Sequence, residues 1–210
     1  KINEIHHGRF NGDLDWSPDG HSIVVAEYHR GSHGSLLNDL RIVDLDSGKK
    51  KWITNNFRAL HPVFSANGEG VFFVAHPGET TQIYYLNLTD QKRIQLSKFE
   101  GDIQLQSLDL SPDGNRLTFM IQGPQGDVDI AVMQIDGTHF QKVTHDSAED
   151  MFPVWTADAQ AIVFTSYRNS TPNLYRVDLD ILNITQMTDV AEGIYSRQRL
   201  PLSEKIVAST

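Results

Sequence analysis

One block of sequence recurs four times, and it constrains this chain more than any other feature. Leu14-Asp15-Trp16-Ser17-Pro18-Asp19-Gly20 returns as Pro62-Val63-Phe64-Ser65-Ala66-Asn67-Gly68. It returns again as Leu108-Asp109-Leu110-Ser111-Pro112-Asp113-Gly114 and as Pro153-Val154-Trp155-Thr156-Ala157-Asp158-Ala159. The hydroxyl-bearing residues at 17, 65, 111 and 156 are 48, 46 and 45 residues apart. A period in the forties is what repeated four-stranded units produce.

Each block is followed by a β-branched and aromatic run: Ile23-Val24-Val25, Val71-Phe72-Phe73, Leu117-Thr118-Phe119 and Ile162-Val163-Phe164. A third run follows at 40–45, 83–88, 130–135 and 174–179. A fourth ends in an apolar–hydroxyl pair: Ile53-Thr54, Leu96-Ser97, Val143-Thr144 or Met187-Thr188. Short runs of this kind, bounded by Gly, Asn, Asp and Pro, read as strands. No stretch keeps apolar residues at helical spacing for a dozen positions, so helices should be nearly absent. The Ser-Pro-Asp-Gly element reads as the first hairpin turn of each unit. Proline presets φ, aspartate suits the next corner, and glycine takes the left-handed position. Asn67-Gly68 keeps that chemistry, whereas Asp158-Ala159 predicts a looser or different turn. Trp16, Phe64, Leu110 and Trp155 fall at equivalent positions and should pack between units.

The expected fold is all-β, a β-propeller of four-stranded antiparallel blades with four complete blades and partial ones at both ends. Residues 9–55, 56–98, 99–145 and 146–189 form the blades of a single propeller domain or fragment. Residues 1–8 supply the last strand of a preceding blade, at 2–5. Residues 190–210 begin a fifth, with strands at 200–202 and 206–208. A toroid closes only when its last blade is completed, so the chain is expected to be part of a six- or seven-bladed propeller. Its start at Lys1 rather than Met fits a piece of something longer.

These repeats resemble the TolB-type propeller repeat, a relative of the WD-repeat propellers. Its pattern is Pro-x-Trp-Ser-Pro-Asp-Gly, a strand ending in Phe-x-Ser, a strand like Ile-Tyr-x-x-Asp-Leu, and a final Leu-Thr. The matches are residues 14–20, 108–119 with 132–144, and 152–188. The last contains Phe164-Thr165-Ser166, Leu174-Tyr175-Arg176-Val177-Asp178-Leu179 and Met187-Thr188. The resemblance implies a fold and several possible hosts. These are periplasmic TolB-like proteins, propeller domains of prolyl-oligopeptidase-like serine peptidases, tricorn-like proteases, and sensory parts of membrane-bound transcriptional regulators. It implies a periplasmic or other extracytoplasmic bacterial setting, with the cytoplasm as the alternative.

Composition narrows the chemistry. The chain has no cysteine, which removes disulfides, thiolate zinc sites and cysteine nucleophiles. Its net charge of −9 opposes binding to phosphate backbones, so no nucleic-acid partner is expected. The longest apolar run, residues 71–75, is far below the ~20 residues that span a bilayer, so no direct membrane insertion is expected. No nucleophile elbow and no phosphate-cradling glycine loop occurs; Gly31-Ser32-His33-Gly34-Ser35 has the wrong spacing. No catalytic residue, metal site or cofactor is assigned. Lys49-Lys50-Lys51 reads as a solvated hairpin edge. Three strings fit the glycosylation pattern, as chance allows in a polar chain.

With strands lettered a to d in each blade, antiparallel alternation puts the tight a–b and c–d turns on one face. The more varied b–c connections (28–38, 76–82, 122–128, 167–173) and d–a connections (55–60, 99–106, 146–151, 190–196) lie on the other. Function concentrates on loops held by a rigid scaffold. The binding candidates on that face are His29, Arg30, His61, His76, Asp150, Tyr167 and Arg168, each of which could instead be an ordinary solvated side chain. Asp13, Asp15 and Asp109, near the innermost strands, are either channel carboxylates that attract cations or the ends of blade-to-blade hydrogen bonds. The expected function is a non-catalytic scaffold or sensory module that binds a protein or peptide. The alternatives are a propeller gating a serine peptidase, the sensory propeller of a membrane-bound regulator, and a metal-assisted lyase or hydrolase.

Overall fold

A computed structural model describes residues 10–31, 34–78, 80–191, 193–194, 196–199 and 206–209. The strand expected at residues 2–5 lies outside them. The described residues contain no helix. They form four antiparallel four-stranded sheets and one hairpin, confirming the all-β blade architecture. Blade 1 is β1 (Phe10–Trp16), β2 (Ser22–Arg30), β3 (Leu36–Asp44) and β4 (Lys50–Trp52). Blade 2 is β5 (Ala59–Phe64), β6 (Gly70–Ala75), β7 (Gln82–Asn87) and β8 (Arg93–Gln95). Blade 3 is β9 (Gln104–Leu110), β10 (Arg116–Gln122), β11 (Val128–Gln134) and β12 (Gln141–Lys142). Blade 4 is β13 (Asp150–Trp155), β14 (Ala161–Ser166), β15 (Asn173–Asp178) and β16 (Asn183–Gln186). The hairpin pairs β17 (Ser196–Arg199) with β18 (Ile206–Ser209). Its first strand ends at Arg199, and the strand expected at 200–202 lies outside the described residues. Two compact units divide the chain: residues 1–101 hold blades 1 and 2, and residues 102–210 hold blades 3 and 4 with the hairpin.

The recurrent block builds the same turn four times. Ser17 Oγ donates to Asp19 Oδ1 at 2.6 Å and accepts from the Ser22 amide at 2.9 Å. Ser65 with Asn67 and Gly70, Ser111 with Asp113 and Arg116, and Thr156 with Asp158 and Ala161 repeat the arrangement. The turn expected to differ at Ala159 does not. Its amide donates to Thr156 O at 3.0 Å, as the Gly20 amide does to Ser17 O at 2.9 Å. Ala159 therefore takes φ 56°, a left-handed conformation that a Cβ disfavours, because the surrounding bonds are the same.

Two further devices fix the blades. Just beyond strand d, a hydroxyl accepts an amide of strand c: Leu40 to Thr54, Ile83 to Ser97, Ile130 to Thr144 and Leu174 to Thr188, at 2.8–2.9 Å. In every blade that hydroxyl donates to a polar residue one position earlier on strand c, namely Asp39, Gln82, Asp129 (at 3.5 Å) or Asn173. In blades 1, 2 and 4 the same oxygen accepts an amide from the d–a connection, that of Phe57, Phe99 or Val190. The second device joins neighbouring blades. Asp15 Oδ2 accepts the Phe64 amide at 2.8 Å within the first unit, and Asp109 Oδ2 accepts the Trp155 amide at 2.9 Å within the second.

Apolar side chains pack beside these bonds. Val24, Leu40, Phe64, Val71, Phe73 and Leu86 form the core of the first unit; Ile130, Trp155, Ile162, Phe164 and Val177 form that of the second. Trp155 is fully buried, and the Arg116 guanidinium covers its ring at 4.6 Å. Trp16 departs from the expected packing and is 46% exposed. Alternation along β1 explains the difference: Asp15 points toward blade 2, so Trp16 points away from it.

Replacing Asp109 by alanine leaves the Trp155 amide without its carboxylate acceptor. It should cost about 1–3 kcal/mol in urea unfolding, with Asp109→Asn, which keeps an oxygen, costing clearly less. Equal losses for the two variants would show that the bond is not what matters. A second expectation concerns acid. The Ser17, Ser111 and Thr156 hydroxyls hold Asp19, Asp113 and Asp158 below the ordinary 3.8. A lowered folded-state pKa adds stability above 3.8 that is lost as pH falls through the folded value. Asp113→Asn, which copies Asn67, should therefore flatten the acid limb of a plot of unfolding midpoint against pH.

Candidate functional site

The b–c connection of blade 1 is far shorter than expected. Strand pairing continues through Tyr28↔Asn38, His29↔Leu37 and Arg30↔Leu36. His29 and Arg30 thus lie on β2 rather than in a loop. Gly34, at φ 79°, closes the reversal by donating to Gly31 O at 2.9 Å. Leu36 and Leu37 extend the ladder because they are as compatible with a strand as the residues before the turn.

Most of the candidate side chains are held by internal partners. His29 Nε2 lies 2.6 Å from Asp39 Oδ2, and its ring sits 4.9 Å from that of Trp52. His61, on β5, places Nδ1 3.1 Å from Asp13 Oδ2, at ion-pair distance without hydrogen-bond alignment. Asp15 and Asp109 accept the two blade-joining amides. Arg168 Nη2 donates to both carboxylate oxygens of buried Asp150, at 3.1 and 3.0 Å, its Nε donates to Ser166 Oγ at 2.9 Å, and its Nη1 lies 2.9 Å from Asp146 Oδ2. Burial pushes the Asp150 carboxyl above its ordinary 3.8, against the lowering effect of Ser166, Arg168 and Thr144. Tyr167 is half-buried and donates its amide to Glu149 O. Among the described residues, no group of three or more His, Asp or Glu is assembled as a metal cage.

Two cavities of the first unit border the connection from β4 to β5. The first, about 550 Å³, is lined by His29, Trp52, Thr54, Asn55, Gln91 and Arg93, among others. The second, about 510 Å³, gathers three connections. Gly31, Ser35 and Leu37 come from the blade 1 hairpin, Asn56, Phe57 and Arg58 from the d–a segment, and His76, Pro77 and Gly78 from blade 2. Phe57 anchors the middle. Its amide is bound by Asp39, its ring packs edge-on to Tyr84 at 5.0 Å, and the Arg93 guanidinium lies 4.2 Å over it. Asn56 and Arg58 flank it at φ 54° and 53°, both left-handed. Exposed Arg58 has no ion-pair or hydrogen-bond partner among the described residues, and the buried His76 Nε2 has none either. Of the sequence candidates, only His76 lines this second cavity, with Arg30 next to its edge at Gly31. Asn56, Phe57 and Arg58 were missed. The Asn55-Asn56 pair, tolerant of left-handed backbone, was the available signal; nothing in the local sequence marked Arg58.

The profile of the TolB beta propeller domain matches residues 28–209. The chain belongs to the TolB β-propeller family. Within it, the chain is 28% identical over 89 residues to the Tol-Pal system protein TolB of Desulfosudis oleivorans, covering 42% of this chain and 18% of that protein. Among solved structures, a TolB-type protein from Agrobacterium tumefaciens superposes with TM-score 0.76 at 22% identity, over 93% of this chain and 68% of that one. TolB from Acinetobacter baumannii gives 0.66 at 21% identity, over 96% and 50%. The chain thus spans less than a fifth of the Desulfosudis TolB and half of the Acinetobacter TolB.

Arg168 should be structural. Arg168→Ala leaves the Asp150 carboxylate buried without its cation, at a cost of about 3 kcal/mol near neutral pH. Because burial raises the Asp150 pKa, the carboxyl sheds its charge more readily in the folded state. The penalty should therefore shrink as pH falls toward 4. A loss of stability independent of pH would point to packing alone.

Proposed function

We propose that this TolB-family propeller is a non-catalytic scaffold or sensory module, working outside the cytoplasm, that binds a protein or peptide segment. The blades act together as one propeller domain, and the second cavity is the binding site. One observation carries this reading. Arg58 and His76 both line a cavity and have no internal partner among the described residues, while His29, His61, Asp150 and Arg168 are bound within the fold. A cavity of about 510 Å³ lies within the range that ligand sites occupy. The resemblance to periplasmic TolB-like proteins supports the extracytoplasmic setting.

A random-peptide display selection against the immobilised chain tests the proposal. Binders should be retained by the parent and lost by Gly78→Trp. No atom lies within 4 Å of a Cβ built at Gly78, so a side chain there starts in open space and the indole adds bulk beside the cavity. Selected peptides that bind parent and blocked variant alike would place recognition elsewhere. A selection that yields nothing would remove the peptide-binding reading.

A further inference from the structure

We infer that the second cavity recognises the free C terminus of a partner polypeptide, clamping its carboxylate with Arg58 and seating an apolar last side chain against Leu37, Phe57 and Pro77. The inference rests on the peptide-binding reading and names the chemistry of the ligand.

Four features lead to it. Arg58 is exposed and its guanidinium is unpartnered among the described residues, and a guanidinium binds a carboxylate through two parallel N–H···O bonds. The Arg58 backbone is constrained on its N-terminal side: the Asp39 carboxylate binds the Phe57 amide at 3.0 Å, and the Phe57 ring is enclosed by Phe73, Tyr84 and Arg93. His76 lines the same cavity, with its Nε2 buried behind the surface and without a hydrogen-bond partner among the described residues. The rest of the lining divides between small or polar residues (Gly31, Ser35, Asn56, Gly78) and the apolar trio. A Cβ at Gly31 would stand 2.7 Å from Leu37 and 2.8 Å from Asn56, so this wall approaches as bare backbone.

A chain end fits this mixture better than an acidic stretch. A terminal residue carries its carboxylate and its side chain on one Cα, so a single residue meets both the cationic and the apolar wall. The net charge of −9 repels a polyacidic segment but penalises a single carboxylate little.

Two immobilised hexapeptide pools of sequence Gly-Gly-X-X-X-Leu, with X randomised, provide the test: one pool as free acids, the other as C-terminal amides. The parent chain should be retained at least about tenfold better by the acids. Arg58→Ala should erase that preference, Arg58→Lys should keep part of it, and Gly78→Trp should lose both pools. Matching thermal unfolding curves for parent and variants exclude loss of fold. Equal retention on acids and amides, still blocked by Gly78→Trp, overturns carboxylate recognition while the peptide-binding reading stands. Retention by neither pool overturns the inference, and the display selection then decides the reading on its own. An acid preference that survives Arg58→Ala also overturns it, by moving the carboxylate to another cation.

Discussion

The aspartate two positions before the Ser-Pro-Asp-Gly hydroxyl binds the backbone of the next blade, and much of the structure depends on that bond. An innermost strand has one side paired within its own sheet. Its remaining contact with a neighbour is side chain against side chain, which fixes area but not register. A carboxylate that reaches across to a single amide specifies the offset between two sheets, and it does so at Phe64 and at Trp155, the large residues the interface buries. The corresponding positions of blades 2 and 4 are Val63 and Val154, which have no acceptor to offer. Each compact unit thus contains one such tie.

Within a blade, the hydroxyl after strand d plays the comparable part, and the repeats provide their own controls. In blades 2 and 4 a neutral amide, Gln82 or Asn173, accepts both the hydroxyl and the connecting amide. Charge is therefore not required by the joint. Where a carboxylate stands there instead, a basic side chain accompanies it: His29 lies 2.6 Å from Asp39, and Lys142 lies 2.7 Å from Asp129. A buried carboxylate without compensation is costly, so the two substitutions belong together. This also explains why His29, attractive as a binding residue by type alone, is drawn into the scaffold.

Local chemistry was legible in the sequence and long-range compensation was not. The hairpin turns could be read because every bond that makes them lies within a few residues. The apolar–hydroxyl pairs marked the ends of the fourth strands for the same reason. Ala159 escaped because the remaining bonds of its turn hold an alanine where glycine is easier. The blade 1 hairpin escaped because His29 and Arg30 carry no mark separating strand from loop. Trp16 shares a motif position with Trp155, but which neighbour covers a motif position is a tertiary fact. The candidate site was legible only in part. Histidines and arginines can be picked out by type, yet which of them are already bound depends on carboxylates elsewhere along the chain. His61 is separated from Asp13 by a whole blade, whereas Arg168 and Asp150 belong to one.

The d–a connection of blade 1 shows how a rigid repeat can carry a distinctive surface. Left-handed backbone at a non-glycine residue costs about 1–2 kcal/mol, and the turns at Gly20, Gly68 and Gly114 avoid it by using glycine. Residues 56 and 58 accept it twice around a single anchored phenylalanine. Among the described residues they are the only two non-glycine left-handed positions separated by one residue. Such strain persists where the surroundings over-determine it, and here the Asp39 joint and the ring contacts of Phe57 do so. Glycine at either position would relieve the strain at the expense of a more disordered unfolded chain. Asn56 and Arg58 instead add side chains at the wall of a cavity, and the joint that closes blade 1 is the element that holds them there.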